Sequence, residues 1–407
     1  MNKRKLINDP IYGFIQFPYE ILYDIIDHPY LQRMRRISQM GLSNLVYPGA
    51  VHTRFHHTLG ALHLMTEAIS SLRSKGIEIT ESEAIATCIS ILLHDIGHGP
   101  FSHALEYELI NISHEYISIQ FMKELAEEYG APVELALEIF ENRYPKFFLH
   151  QLVSSQLDMD RMDYLSRDSF FTGVVEGVIG YKRIIKMLHV KDNELVVEEK
   201  GLHSIEKFLV ARRIMYWQVY LHKTSVAAES MLIKWIREVK KEVKKGNEKI
   251  KKNISSRLLY FMEQEYGMER IKNERKEFIR RFSELDEQDI YFSIKNILGN
   301  ENELLSILSN GILNRKLFRV LAKDQAFTNE EINEVKSKLL NNKSLDITYI
   351  DDVILLKTES NTAYSTKKES IKILTKNGEV IPLIKFSKNL IDTLLINKYF
   401  LCFPKIN

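Results

Sequence analysis

Apolar residues recur at helical spacing through most of the first 240 positions. Leu59, Leu62, Met65, Ile69 and Leu72 fall three or four apart, the spacing of one helix face, and Gly76 follows as a C-terminal stop. Thr80-Glu81-Ser82-Glu83 has the spacing of a capping box, in which the first and fourth side chains satisfy each other's free amides. It predicts a buried helix through Ala84–Ile89 toward His94, ended by Gly97, Gly99 and Pro100. Glu115–Tyr129, Asp158–Asp168 and Glu206–Lys240 read as helices on the same grounds. Leu188–Val190 and Glu194–Val197, flanking Lys191-Asp192-Asn193, predict a short hairpin inserted near 187–198.

Beyond Lys240 the pattern changes. Lys240, Lys241, Lys244, Lys245, Lys249, Lys251 and Lys252, interrupted by Gly246-Asn247, form a basic run that reads as an exposed helix end and linker. A boundary is placed there, giving a core over 1–240 and a second region over 241–407. In that second region Ile371–Leu374 and Val380–Leu383 flank Asn377-Gly378, the strongest hairpin signal in the chain. The expected class is mainly α, with a smaller α+β C-terminal region suited to oligomerisation or regulation.

Composition narrows the setting. At 407 residues the chain can bury a large core. Lys and Arg, 56 together, nearly balance 54 Asp and Glu, so no global field drives it onto nucleic acid or an anionic membrane. The basic start, Met1–Lys5, leads into Leu6-Ile7-Asn8-Asp9-Pro10 rather than an apolar signal core, and the apolar stretch Ala84–Leu93 is too short to span a bilayer. Two cysteines, Cys88 and Cys402, offer neither a disulfide framework nor a thiolate zinc site. A soluble cytoplasmic protein is expected.

The chemistry lies in the front half. All thirteen histidines stand at or before His222, eight of them between His52 and His114. Among them, His57 and the pair His94-Asp95, together with Asp160, supply the nitrogen and oxygen ligands one divalent cation needs. Imidazole with carboxylate suits Mn, Mg, Fe, Ni or Zn, and the lack of thiolate argues against a closed structural zinc site. Neighbours on a helix point about 100° apart. His94 and Asp95 therefore share a cation only if it sits off the helix flank and other segments complete the set. Asp160, Tyr164 and Arg167 or Asp168 recur on one helix face and would place an aromatic ring and further charge beside it.

The stretch His94-Asp95-Ile96-Gly97-His98-Gly99-Pro100-Phe101-Ser102-His103 packs three histidines and an aspartate around a glycine-rich helix end. With Arg54-Phe55-His56-His57-Thr58-Leu59-Gly60 before it and Asp158-Met159-Asp160-Arg161-Met162-Asp163-Tyr164 after it, it closely resembles the HD-domain phosphohydrolases. Within them it is most similar to the deoxynucleoside triphosphate triphosphohydrolases, a family that includes a mammalian enzyme joining a SAM domain to an HD domain. The resemblance covers roughly Asn8 to Lys223. It implies a helical HD core, metal ligation by His57, His94, Asp95 and Asp160, His98 and His103 beside the scissile phosphate, and His114 as general acid. Glu106 stands where the mammalian enzyme has aspartate. Gln39, Met40, Arg54, Arg161, Tyr164, Asp168 and Arg212 match substrate contacts, with Met40 replacing leucine and Arg161 replacing lysine. Asp27, Gln32 and Arg35 match residues that bind a guanine activator nucleotide between subunits.

The resemblance thus implies cleavage of a deoxynucleoside triphosphate, arriving with Mg, into deoxynucleoside and inorganic triphosphate by a homo-oligomer, dimer or tetramer. Spacing alone gives metal-assisted phosphohydrolysis. Two other readings stand beside it: an HD nucleotidase or phosphodiesterase acting on another phosphate ester, and a nucleotide or nucleic-acid binding protein without turnover. The basic run at Lys240–Lys252 keeps single-stranded nucleic acid open as a less favoured partner.

Overall fold

The computed structural model describes residues 5–341, 349–361, 370–386 and 396–405, and its architecture is mainly α with small sheets. At its centre runs the helix Arg54–Ser74, with fourteen of its 21 residues buried. A helix covered on most sides is packed by neighbours rather than laid across a surface. Those neighbours are the helices Glu81–Leu93 and Met159–Thr172. The capping box forms as the sequence predicts: Thr80 Oγ1 accepts from the Glu83 amide at 3.2 Å and Glu83 Oε2 from the Thr80 amide at 2.7 Å. Gly76 ends the central helix at φ +82°, a conformation that costs glycine little. Asp158 caps Met159–Thr172 by accepting from the Arg161 amide at 2.7 Å. These starts and stops put His57 and Asp160 in first turns and His94 at a C-terminal end, all facing one point.

The single helix expected over Glu206–Lys240 is divided. Leu202–Met215 continues into a wider turn at Tyr216–Tyr220, and a new helix runs Lys223–Lys244. The wide turn aims Tyr216 and Tyr220 into the central cavity, and His222 Nδ1 restarts the chain by accepting from the Thr224 amide at 3.2 Å. Periodicity cannot show this break, because both halves keep the same apolar spacing.

Strands β1 (Ile7–Asp9) and β2 (Gly13–Ile15) form a small antiparallel pair. The expected hairpin is β3 (Leu188–Lys191) and β4 (Glu194–Glu198), with Asp192 and Asn193 at φ +52° and +63° in its turn. It is more than an insertion between helices. After β5 (Arg319–Lys323) and β6 (Leu355–Asn361), the second expected hairpin, β7 (Lys372–Leu374) and β8 (Val380–Pro382), joins it through parallel pairing of Val197 with Ile373. A third sheet has β9 (Ile396–Phe403) between β5 and β6. Most buried apolar side chains make one connected core, including Trp235, whose indole donates to Ser309 Oγ at 2.9 Å, and Val335, Leu339, Leu401 and Phe403 make a small second one.

The lysines of the basic run are largely paired. Lys244, Lys245, Lys249 and Lys251 lie 2.7, 2.7, 2.6 and 2.9 Å from Glu265, Glu242, Glu301 and Glu263. Such exposed pairs add little stability, but they cancel much of the field that a polyanion would follow. No helix among the described residues is long and apolar enough to cross a membrane.

Candidate active site

His57, His94 and Asp160 bring ligand atoms within 4.8 Å of one another. Asp160 Oδ1 lies 3.1 Å from His57 Nε2 and 3.5 Å from His94 Nε2, yet neither nitrogen has a hydrogen-bond partner although both are buried. The opposite ring nitrogens are committed: His57 Nδ1 to Asp163 at 2.8 Å and His94 Nδ1 to the Ile91 carbonyl at 2.7 Å. Those acceptors require N–H at Nδ1, which leaves the Nε2 lone pairs aimed at a common point, the arrangement of imidazoles that hold a cation. Asp95 completes the group, one oxygen 3.4 Å from His94 Nε2 and the other 3.7 Å from His57 Nε2. The donor set fits a divalent cation with oxygen and nitrogen preference.

Electrostatics agree. Burial should lower the pKa of His57, but Asp160 and Asp163 more than reverse it and raise it to about 10. His94 is raised against the same burial by Asp95 and Asp160. Desolvation opposes ionisation of Asp160, yet both imidazoles hold it far below the carboxylate range. Protons thus balance the carboxylates when no cation does, and a cation must displace them. Adding Mn(II) to metal-free protein at pH 7 to 9 is therefore expected to release at least one proton per ion. Titration calorimetry in buffers of different ionisation heat reads this, and zero release would refute the site. The raised His57 pKa stabilises the metal-free fold fully below its ordinary value near 6.5, and that contribution is lost as pH rises through about 10.

Around this group the chain is held by unusual backbone. Phe101 and Ser102 sit at φ +57° and +51°, a region bulky residues rarely occupy. Glu287, from far along the sequence, fixes them: its carboxylate accepts from the amides of Phe101 at 3.1 Å and Ser38 at 2.8 Å. Ser102 Oγ then accepts from Arg54 Nε at 2.8 Å, and Arg54 Nη1 pairs with Asp95. Arg33, fully buried, donates to the carbonyls of Leu285 and His98 at 3.0 and 2.7 Å and locks the His94–His98 turn against the later helices.

A second cluster adjoins the first. His98, His103 and His114 come within 4.8 Å, and the rings of His98 and His114 stack with centroids 3.8 Å apart. Glu106 lies behind them and accepts from Nδ1 of His103 at 2.9 Å and of His114 at 2.7 Å. Burial opposes its ionisation, but those two histidines keep it charged well below the carboxylate range. His98, buried beside Arg54, is pushed toward the neutral form.

Both clusters reach one cavity of about 730 Å³, the first through Asp95 and Asp160 and the second through its three histidines. Its wall carries Gln39, Met40, Arg54, Asp95, His98, His103, His114, Asp160, Tyr164, Asp168 and Arg212. A family model for the HD domain matches residues 54–168, and one for the HD-associated region matches 179–284. A phosphohydrolase from Bacteroides thetaiotaomicron, solved by crystallography, is 44% identical, with a TM-score of 0.91 over 99% of this chain and 100% of that one. The chain belongs to the HD-domain phosphohydrolases.

Other relatives extend the comparison. The uncharacterized protein YwfO of Bacillus subtilis is 27% identical over 95% of this chain and 88% of its own length. The human deoxynucleoside triphosphate triphosphohydrolase SAMHD1 is 32% identical over 56% of this chain, which spans 43% of that enzyme. Of the residues singled out from sequence, His57 and His94 are buried and do not line the cavity themselves, and three further sets stand off its wall. Arg161 folds back to pair with Asp158, Glu106 acts from behind the histidines, and Asp27, Gln32 and Arg35 lie at the surface. There Asp27 pairs with Lys5 at 2.5 Å and Arg35 stacks over Phe55 at 3.7 Å. Sequence reasoning gave no role to Asp163, His52, Glu287, Lys357 or Glu359. Only Asp163, one helical step from Asp160, carried a usable signal. Asp168 is held at 2.7 Å by both His52 and Tyr220, a contact between segments distant in sequence.

Proposed function

We propose that the chain hydrolyses deoxynucleoside triphosphates to deoxynucleoside and inorganic triphosphate. The observation that carries this reading is the cavity itself. The buried, unpartnered Nε2 atoms of His57 and His94 face Asp160 where arginines and histidines gather, and tyrosine rings extend away from them. The likeness to SAMHD1, named for this activity, supports it.

His57, His94, Asp95 and Asp160 would hold the cation, which would supply Lewis-acid polarisation of a phosphoryl oxygen and a lowered pKa of water. Arg54 and Arg212 stabilise charge on the triphosphate, which enters with Mg. His114, its Nδ1 fixed by Glu106, presents Nε2 to protonate the 5′ oxygen; such acids contribute on the order of 100- to 10,000-fold. His98 and His103 border the scissile phosphate, Gln39 and Met40 meet the sugar, and Tyr164 and Asp168 enclose it. Arg161, set by Asp158 within 4.0 Å of Asp160, reaches substrate by turning outward. Asp27, Gln32 and Arg35 take a guanine nucleotide at a subunit contact of a homo-oligomer.

Incubation with each dNTP and Mn or Mg, followed by chromatography, is expected to give deoxynucleoside and triphosphate, faster with added dGTP. Orthophosphate or a nucleoside monophosphate would mark a different HD reaction, and intact nucleotide a binding protein. A monomer fully active without guanine nucleotide would reject the activator site.

A further inference from the structure

Beyond the groups that handle phosphate, the same cavity is lined by Glu229 and Ile233 of the helix Lys223–Lys244 and by Lys357 and Glu359 of β6. Lys357 Nζ lies 2.9 Å from Glu229 and 3.1 Å from Glu359, and all three side chains keep between 21 and 28% of their surface exposed. A line of rings connects this wall to the metal ligands. Tyr164 lies 6.5 Å from His57, Tyr220 6.4 Å from Tyr164, and Tyr216 6.3 Å from Tyr220, between centroids. Tyr216, the last ring, feels the charges of Glu359 and Lys357, Tyr164, the first, those of Arg161 and Asp160, and Arg212 acts on both.

We propose that Lys357, Glu359 and Glu229 form the subsite that reads the nucleobase, an inference that rests on the dNTP reading above. Two carboxylates against one ammonium leave this end negative, while Arg54 and Arg212 offer guanidinium groups to phosphate elsewhere on the wall. A triphosphate is repelled from the first and drawn to the second, so the nucleotide enters in one direction with its base on the tyrosines. The edge of the base then meets charged donors and acceptors. The Lys357 ammonium donates to the carbonyl of a keto base, guanine or thymine. The carboxylates accept from the exocyclic amine of adenine or cytosine.

Removing either partner therefore shifts selectivity in opposite directions. In an equimolar mixture of the four dNTPs, where any activator acts on all alike, Lys357→Met is expected to lower the kcat/KM of keto bases relative to amino bases. Glu359→Gln is expected to do the reverse. One charge-assisted contact to a base is worth about 5- to 100-fold in discrimination. Glu359→Gln retains the Lys357–Glu229 pair, so it tests the idea even if Lys357→Met fails to fold. Ratios that stay within about twofold of wild type in both variants would overturn the base subsite alone. Dissociation constants for the four dNTPs form a second arm. If wild type binds them without cleavage, the hydrolase reading falls and these ratios judge the subsite; if it neither binds nor cleaves them, both fall.

Discussion

Replacing Asp160 by alanine is expected to lower triphosphate release at least about a thousandfold, roughly 4 kcal/mol of transition-state stabilisation, while the protein stays folded. A single oxygen of this carboxylate approaches both unpartnered imidazole nitrogens, at 3.1 and 3.5 Å, whereas Asp95 reaches them with separate oxygens at 3.7 and 3.4 Å. Without it a cation keeps two neutral ligands and a carboxylate already shared with Arg54. The fold has little to lose. A quarter of the Asp160 side chain faces the cavity, the helix is capped by Asp158 instead, and His57 keeps its bond to Asp163. Metal content by atomic emission, circular dichroism melting and product release together check this. A variant that keeps its metal and turns over within tenfold of wild type would remove the basis of the mechanism.

Gly60→Ala is expected to destabilise the fold by about 3–5 kcal/mol. In the interior of a helix alanine normally gains about 1 kcal/mol over glycine. Here packing overrides propensity, because the new methyl would stand 2.0 Å from Asp163 Oδ1 and 2.2 Å from Arg167 Nη2. Neither can retreat. Arg167 holds Asp163 at 2.9 and 3.0 Å and Asp9 at 2.9 Å, and both members of the central pair are fully buried. Separating them strands buried charge, and Asp163 also orients His57. Denaturant titration reads the loss, and a variant as stable as wild type would show that this network is not the keystone of the helix crossing.

Much of this was legible in the sequence. Helix ends were, because Thr80, Asp158 and Gly76 act locally, and so were both hairpin turns. The residues proposed to hold a cation stood out as histidines and aspartates gathered in three motifs, and the fold brings His57, His94 and Asp160 together. The break after Tyr220 was hidden by unbroken periodicity. The parallel pairing of β4 with β7 was hidden because nothing local in either strand names its partner. Glu287 and Lys357 were invisible for a related reason: a lone charged residue in a helix or strand reads as solvated, and only the fold shows that it is turned inward.

The order of synthesis adds a last consequence. All proposed metal ligands have been translated by Asp160, yet the wall carrying Lys357 and Glu359 hangs on β6, which pairs with β9 at Ile396–Phe403. At roughly 5–20 residues per second a ribosome needs on the order of ten seconds or more to travel between them. During that interval a nascent chain can bring the HD motifs together while its cavity lacks one side, so the complete chamber arrives with β9 rather than with those motifs.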